Sequence, residues 1–465
     1  MARIYLLFAF DLADCAAPQS DDAAKRLARA LAGHGAPGTF RLVGQRARLL
    51  RQRVRYDVID ALAGHALGYL GNWHGLRPQV AEYLAPLDWE DGMAEFERRE
   101  RQGVDDLAAV LGRRPACYGP PGPNWAPQAF PVLRRWDIPV YLSSFGYFCL
   151  DAQPFYAGGL LHASHLAGTR EDGAEARLQL ELGPELGAPG ALAEHKRAFA
   201  RAVEALGEGG GLVVVSTRPD ALVLERCPGA ELKPRNVAQA GYRDFEDLLR
   251  HALGLPEAQA VDATQLPQLY PDLAQGRALC HDELLALARG VEGRLLWQGL
   301  DDVALSAAEL FGLFGGFLAA MTDGELPPAA PVAYLDGPAT RPEEADTGFA
   351  ADWGSFLEAA GQAAGFAERH GRVPPHIQVA GKTVFPGDFL VTAAEAVATF
   401  LGTRREPERV TILPANNALE AYVDEAAARE SWKSDMLPEG FAAPGLLELT
   451  RLQAWTLKPA IRKPR

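Results

Sequence analysis

Cysteine is scarce in this chain of 465 residues. The five present, Cys15, Cys117, Cys149, Cys227 and Cys280, are odd in number, scattered, and never spaced as CxxC. That pattern argues against a disulfide framework and a zinc ribbon, and fits a reducing compartment. Positive charge is also short: 46 basic residues stand against 60 acidic ones, a formal net charge of −14. A net negative field repels phosphate backbones and anionic bilayers, so no nucleic-acid partner is expected. No apolar run approaches the ~18 residues of a membrane span. The short run in MARIYLLFAFDLADC ends in an acid and lacks a small-residue cleavage pattern, so it reads as a first β-strand and not as a signal peptide. The expected location is cytoplasmic. A GxSxG elbow, a P-loop and a Cys/His pair at recognisable spacing are missing as well.

What is present divides the chain. Its length predicts two or three domains, each with its own interior. The first half alternates strand-like and helix-like segments, as parallel α/β folds do: IYLLFAF, then DDAAKRLARALAGHG, then GTFRLVG, then DVIDALAG. Helical spacing of Val104, Leu107 and Leu111 predicts a helix over 92–112. CYG, FPVLRRW, IPVYLSS, HKRAFARAVEAL and LVVVS continue the alternation. The GEGGG run at 207–211 precedes a strand, whereas a phosphate loop follows one, so it reads as a plain loop.

Past about residue 265 the texture becomes Ala- and Leu-rich and helical. Two segments there, around 281–321 and 353–401, look like copies of one module. In each, a Gly-Arg pair, at 293–294 or 371–372, leads through a short extended piece into an apolar helix entered by a small residue and an acid, Glu309 or Asp388. A Pro- and Gly-rich linker joins them. The expected organisation is therefore a first domain over 1–265 and a mostly α-helical one over 266–465.

Five landmarks in the first half carry a resemblance: FDLAD at 10–14, GAPGTFRLVG at 35–44, GHALGYLGNWH at 64–74, RRPACYGPPG ending at Gly122, and VVVSTRPD ending at Asp220. In this order and spacing the chain resembles the polysaccharide deacetylase (NodB-homology) family, carbohydrate esterase family four, over roughly residues 1–265. The resemblance implies a distorted (β/α) barrel, an α/β fold. It also implies removal of acetyl groups from sugars with one divalent metal, held by an Asp and two His. A second Asp is the base, an Arg orients that base, and a late His protonates the leaving amine.

Carried over position by position, the inventory is incomplete. Asp11 takes the base position and Asp14 the metal carboxylate. His74 matches one metal histidine, but Leu70 stands where the other is expected, and an aliphatic side chain binds no metal. Gly119 stands in place of the orienting Arg. Arg218 stands in place of the late His, and a guanidinium that stays protonated cannot act as the acid. Two carboxylates left at the mouth without an ion would repel each other unless a cation replaces it, so Arg218 is expected within salt-bridge reach of Asp11 or Asp14.

The expectation is thus a family member with impaired or altered catalysis that binds a glycan or glycoconjugate and needs no cofactor. An active zinc-dependent hydrolase drawing donors from His65 or His162 is the alternative, and a scaffold acting through the helical half is the third reading. His65 reads as a hydrogen-bonded core residue. His162 and His165, flanked by leucines, read as structural. Trp73, Trp125 and Tyr147 would lie near the mouth, where aromatic rings suit sugar faces or pack the rim. GRVPPHIQVAG with the helix that follows resembles pseudomurein-binding repeats over some thirty residues. No signature side chain accompanies it.

Overall fold

The structure is a computed structural model. It describes residues 3–463 except 74, 121, 143–147, 149, 151–153, 164–167, 170–174, 177–178, 226–230 and 324–325. The chain forms two compact units. The first comprises Met1–Pro154, Leu160–Leu269 and Ala426–Ala443; the second comprises Phe155–Gly159, Tyr270–Glu425 and Pro444–Arg465. The chain therefore does not divide at a single point, because one stretch of the C-terminal half packs into the first unit.

The first unit is built on a large parallel sheet. Its strands are β1 (Ile4–Leu12), β2 (Thr39–Val43), β3 (Ala66–Gly71), β4 (Cys117–Tyr118), β5 (Val140–Tyr141), β6 (Leu160–His162), β7 (Gln179–Leu182), β8 (Gly211–Thr217) and β9 (Ala258–Val261). They lie in the order β7-β8-β1-β2-β3-β4-β5-β6, every pairing parallel, with β9 beside the first half of β1. Strands β2, β3 and β8 are buried along their whole length, which is why LVVVS reads as a continuous apolar run with no alternation.

Helices fill the crossovers, as parallel neighbours require: α1 (Gln19–Gly33), α2 (Gly44–Gln52), α3 (Trp89–Leu111), α4 (Ala191–Ala205) and α5 (Arg235–Leu253). Helix α3 begins three residues earlier than its apolar spacing predicts. The Asp88 carboxylate caps it by accepting from the Asp91 N–H at 2.9 Å, and Gly112 ends it at φ 75°, a left-handed position that glycine takes without strain. All the parallel strands point the same way, so their carboxyl ends gather at one edge of the sheet, where ligands bind in open α/β folds.

The second unit contains two helix-hairpin-helix pieces. The first runs α6 (His281–Gly290), β10 (Gln298–Leu300), β11 (Val303–Leu305) and α7 (Ala307–Ala320). The second runs α8 (Trp353–His370), β12 (Ile377–Val379), β13 (Lys382–Val384) and α9 (Pro386–Thr403). Helix α10 (Pro444–Gln453) follows later in the chain. The apolar faces of α7, α8 and α9 meet around Phe311, Phe356 and Phe389. No helix among the described residues is long and apolar enough to cross a membrane.

Candidate functional site

Asp11 sits one residue before the end of β1, and its partner in register on β2 is Arg41. The Arg41 guanidinium clamps the Asp11 carboxylate with two bonds, Nε to Oδ1 at 2.6 Å and Nη2 to Oδ2 at 2.9 Å. Its third nitrogen, Nη1, donates to the Leu142 carbonyl beyond β5. The same register row continues from Arg41 to Gly68 on β3 and Cys117 on β4.

Two glycines give this arginine its path. A Cβ on Gly68 would lie 2.5 Å from Arg41 Cγ, and one on Gly119 would lie 2.1 Å from both Arg41 Nη1 and the Leu142 oxygen. Neither position admits a side chain while Arg41 lies there. The absence of a side chain at Gly119 leaves room for the guanidinium arriving from β2 and for the Leu142 carbonyl it binds.

The expected pairing of Arg218 with the mouth aspartates is not found. Arg218 Nη2 lies 2.6 Å from Asp220 Oδ2, two residues on. The cation beside Asp11 is Arg41 and not Arg218. Asp11 and Arg41 are neighbours in strand register, and this shorter route wins over a reach from the loop after β8.

Asp14 is engaged locally. Its Oδ1 accepts from the Ala16 N–H at 3.1 Å, and its Oδ2 accepts from the Ala17 N–H at 3.2 Å and the Ser20 hydroxyl at 2.6 Å. Buried Arg46 donates to the Asp14 main-chain carbonyl and pairs with buried Asp21 at 2.6 Å, which fixes the loop ahead of α1. Leu70 lies in a small apolar cluster with Ala13, Val43 and the half-buried Cys15. Burial pushes the Cys15 thiol up to about 11. His74 lies outside the described residues.

A metal centre needs ligands whose lone pairs are free to converge, with three protein donors the norm for a catalytic ion. The Asp14 oxygens carry hydrogen bonds from their own loop, and the neighbouring position is aliphatic. No group of three His, Cys, Asp or Glu among the described residues could hold an ion. The described donors do not fit the metal that the resemblance implies.

The alternative histidines are engaged elsewhere. His65 is buried: its Nε2 donates to the Ala28 carbonyl at 2.9 Å and its Nδ1 accepts from the Gly38 N–H at 3.1 Å. Burial holds its pKa below the usual histidine value, so it is a neutral core residue. His162, at the end of β6, stacks on Tyr141 at 4.7 Å and meets Phe130 edge-on at 5.5 Å. His165 lies outside the described residues.

The three mouth aromatics fare differently. Trp73 is 46% exposed, with the Arg48 guanidinium 4.4 Å over its ring. Trp125 is only 1% exposed, its ring stacked 5.8 Å from that of Trp432, which comes from the returning stretch Ala426–Ala443. Met436 of the same stretch lies over Gly122. This covering removes Trp125 from any sugar face, and the sequence could not show it, because the two tryptophans are some three hundred residues apart. Tyr147 lies outside the described residues.

Beside Trp73 opens a cavity of about 390 Å³ whose lining includes Leu70, Arg77, Tyr83, Arg99 and Glu100. Glu100, buried on α3, accepts from the Tyr69 hydroxyl at 2.5 Å, the Asn72 N–H at 2.7 Å and the Tyr83 hydroxyl at 3.2 Å. Burial raises its pKa above the usual glutamate value, against the opposing pull of those donors. Sequence reasoning missed both Glu100 and Arg41. The available signals were a lone arginine within an apolar strand, TFRLV, and a glutamate facing inward on a helix.

No family model matches the sequence, and no curated protein matches it. Solved structures similar to it include a protein from Mycobacterium smegmatis assigned as a polysaccharide deacetylase. That likeness has 17% identity and a TM-score of 0.37, covering 58% of this chain and 90% of that one. A family 4 carbohydrate esterase from Streptomyces lividans in complex with acetate is similar at 14% identity and a TM-score of 0.29, covering 56% and 93%. A mutant of a CE4 family pseudoenzyme is similar at 11% identity and a TM-score of 0.31, covering 57% and 67%.

Proposed function

We propose that the first unit is a polysaccharide-deacetylase-type barrel that has lost the family's metal hydrolysis and binds a glycan beside Trp73. One observation carries this reading: the Asp14 carboxylate is committed to its own loop and to Ser20, next to an apolar cluster at the Leu70 position. Trp73 supports the glycan. It is an exposed aromatic beside a cavity with Arg77 and Tyr83 in its wall, the mixture of apolar surface and fixed polar groups that small-ligand sites use. The requirement for no metal and the cytoplasmic location are parts of the same proposal.

The test is acetate release from N-acetylglucosamine oligomers in excess zinc or cobalt, with calorimetric titration of the same oligomers. The expected result is binding weakened at least tenfold in Trp73→Ala, with acetate at the buffer rate. Chelator-sensitive acetate release abolished by Asp14→Ala would overturn the proposal and promote the hydrolase.

A further inference from the structure

Two buried acids hold the same place in the two helix-hairpin-helix pieces of the second unit. Glu309 is the third residue after the N-cap Ser306 of α7, and Asp388 is the third after the N-cap Phe385 of α9. Each helix follows a two-stranded hairpin, and the helices meet through Phe311 and Phe389, whose rings are 5.6 Å apart.

Glu309 has a cation. The Lys458 ammonium lies 2.7 and 3.0 Å from its two carboxylate oxygens and 2.8 Å from Asp272 Oδ1, with the Tyr156 ring centroid at 5.8 Å. Lys458 is only 3% exposed. A primary ammonium between carboxylates and near an aromatic ring is what the fold places at this position in the first piece.

Asp388 has no such partner among the described residues. It is 8% exposed, and its Oδ1 accepts from the Ala415 N–H at 2.8 Å while its Oδ2 accepts from no described residue. It lines a cavity of about 190 Å³ together with Trp455, Asn417, Thr340, Glu420 and Arg341. The Asn417 side-chain oxygen is buried with no partner, although its amide donates to Glu420 at 3.0 Å. Arg341 is answered by Glu420 at 3.7 Å and by Glu448 at 3.8 Å, so the wall charge that remains belongs to Asp388.

We propose that this cavity binds the primary ammonium of an amino sugar, with Asp388 holding it as Glu309 holds Lys458. The rest of the wall selects the sugar over a lysine-like tail. Thr340, an exposed residue of the wall, offers ring hydroxyls a hydrogen-bond partner that methylenes cannot use. Trp455 and the lining prolines give the apolar counterpart that a sugar face needs. The site does not rest on the reading of the first unit.

Calorimetric titration of the full chain tests it with three probes: a glucosamine trisaccharide, its fully N-acetylated form, and Nα-acetyl-lysine methylamide. The expected result is that the glucosamine trisaccharide binds at least tenfold more tightly than the lysine derivative. Asp388→Asn keeps an acceptor for the Ala415 N–H. It should lower the glucosamine affinity at least tenfold and leave that of the acetylated probe unchanged. Thr340→Val, which touches no helix cap, should lower the glucosamine affinity severalfold, so the proposal stays testable even if Asp388→Asn unfolds. Glucosamine binding indifferent to both substitutions, equal weakening of both sugars by Asp388→Asn, or tighter binding of the lysine derivative would overturn it. Loss of acetylated-oligomer binding in Trp73→Ala concerns only the first unit.

Discussion

Arg41→Met tests whether the guanidinium ties the end of β1 to the chain beyond β5. The substitution removes two charge-assisted bonds to Asp11 and one to the Leu142 carbonyl, and methionine keeps most of the stem's packing. Hydrogen bonds to charged groups contribute about 1.5–3 kcal/mol each, and an orphaned buried acceptor costs about 1–3 kcal/mol. The Asp11 side chain is 29% exposed, so water recovers part of its solvation. A net loss of about 2–4 kcal/mol results. At about 2–4 °C per kcal/mol for a unit of this size, that lowers the melting temperature by about 4–16 °C. Differential scanning calorimetry of the full chain reads it as a shift of the first unit's transition. Arg41→Met with Asp11→Leu should recover at least half, because the uncompensated charge goes with the second change. A single-variant shift under 2 °C, or a double variant no better than the single, would refute the clamp.

Two further outcomes follow from buried groups. Glu100 has a raised native pKa, so the stability that its neutral form contributes is complete below the unfolded glutamate value and is lost as pH rises through the native one. Melting temperature against pH should therefore fall over that window in the parent and fall less in Glu100→Gln; identical profiles would show that Glu100 is not the group responsible. Trp432→Ala removes the ring stacked on Trp125 and should cost about 3–5 kcal/mol, the usual range for a buried tryptophan. It should also open Trp125 to iodide quenching, and an unchanged quenching constant would mean that the cover does not depend on that ring.

The elements that depend on local pattern were legible in the sequence. Strand β8 could be read from LVVVS because both its faces are buried. Helix α3 could be read from its apolar spacing, with its start displaced by an aspartate cap that apolar periodicity does not see. His65 as a core residue was legible for the same reason, since it sits where the chain enters a buried strand. What depends on register or on distant returns was not. The pairing of Asp11 with Arg41 follows from which residues of β1 and β2 lie opposite each other. The burial of Trp125 follows from a stretch that comes back after the whole second unit has begun.

The positions around Asp11 are constrained by packing. An imidazole at position 70 would enter the apolar cluster of Ala13 and Val43, and burying an unpaired polar ring there costs free energy. A Cβ at position 119 would lie 2.1 Å from the Leu142 carbonyl oxygen as well as from Arg41 Nη1, and one at 68 would lie 2.5 Å from Arg41 Cγ and 2.6 Å from Cys117 Sγ, so the backbone of Leu142 and two side chains together hold these positions to glycine. The residues at 68 and 119 thus border one guanidinium, which strand register and two hydrogen bonds tie to Asp11 on the first strand.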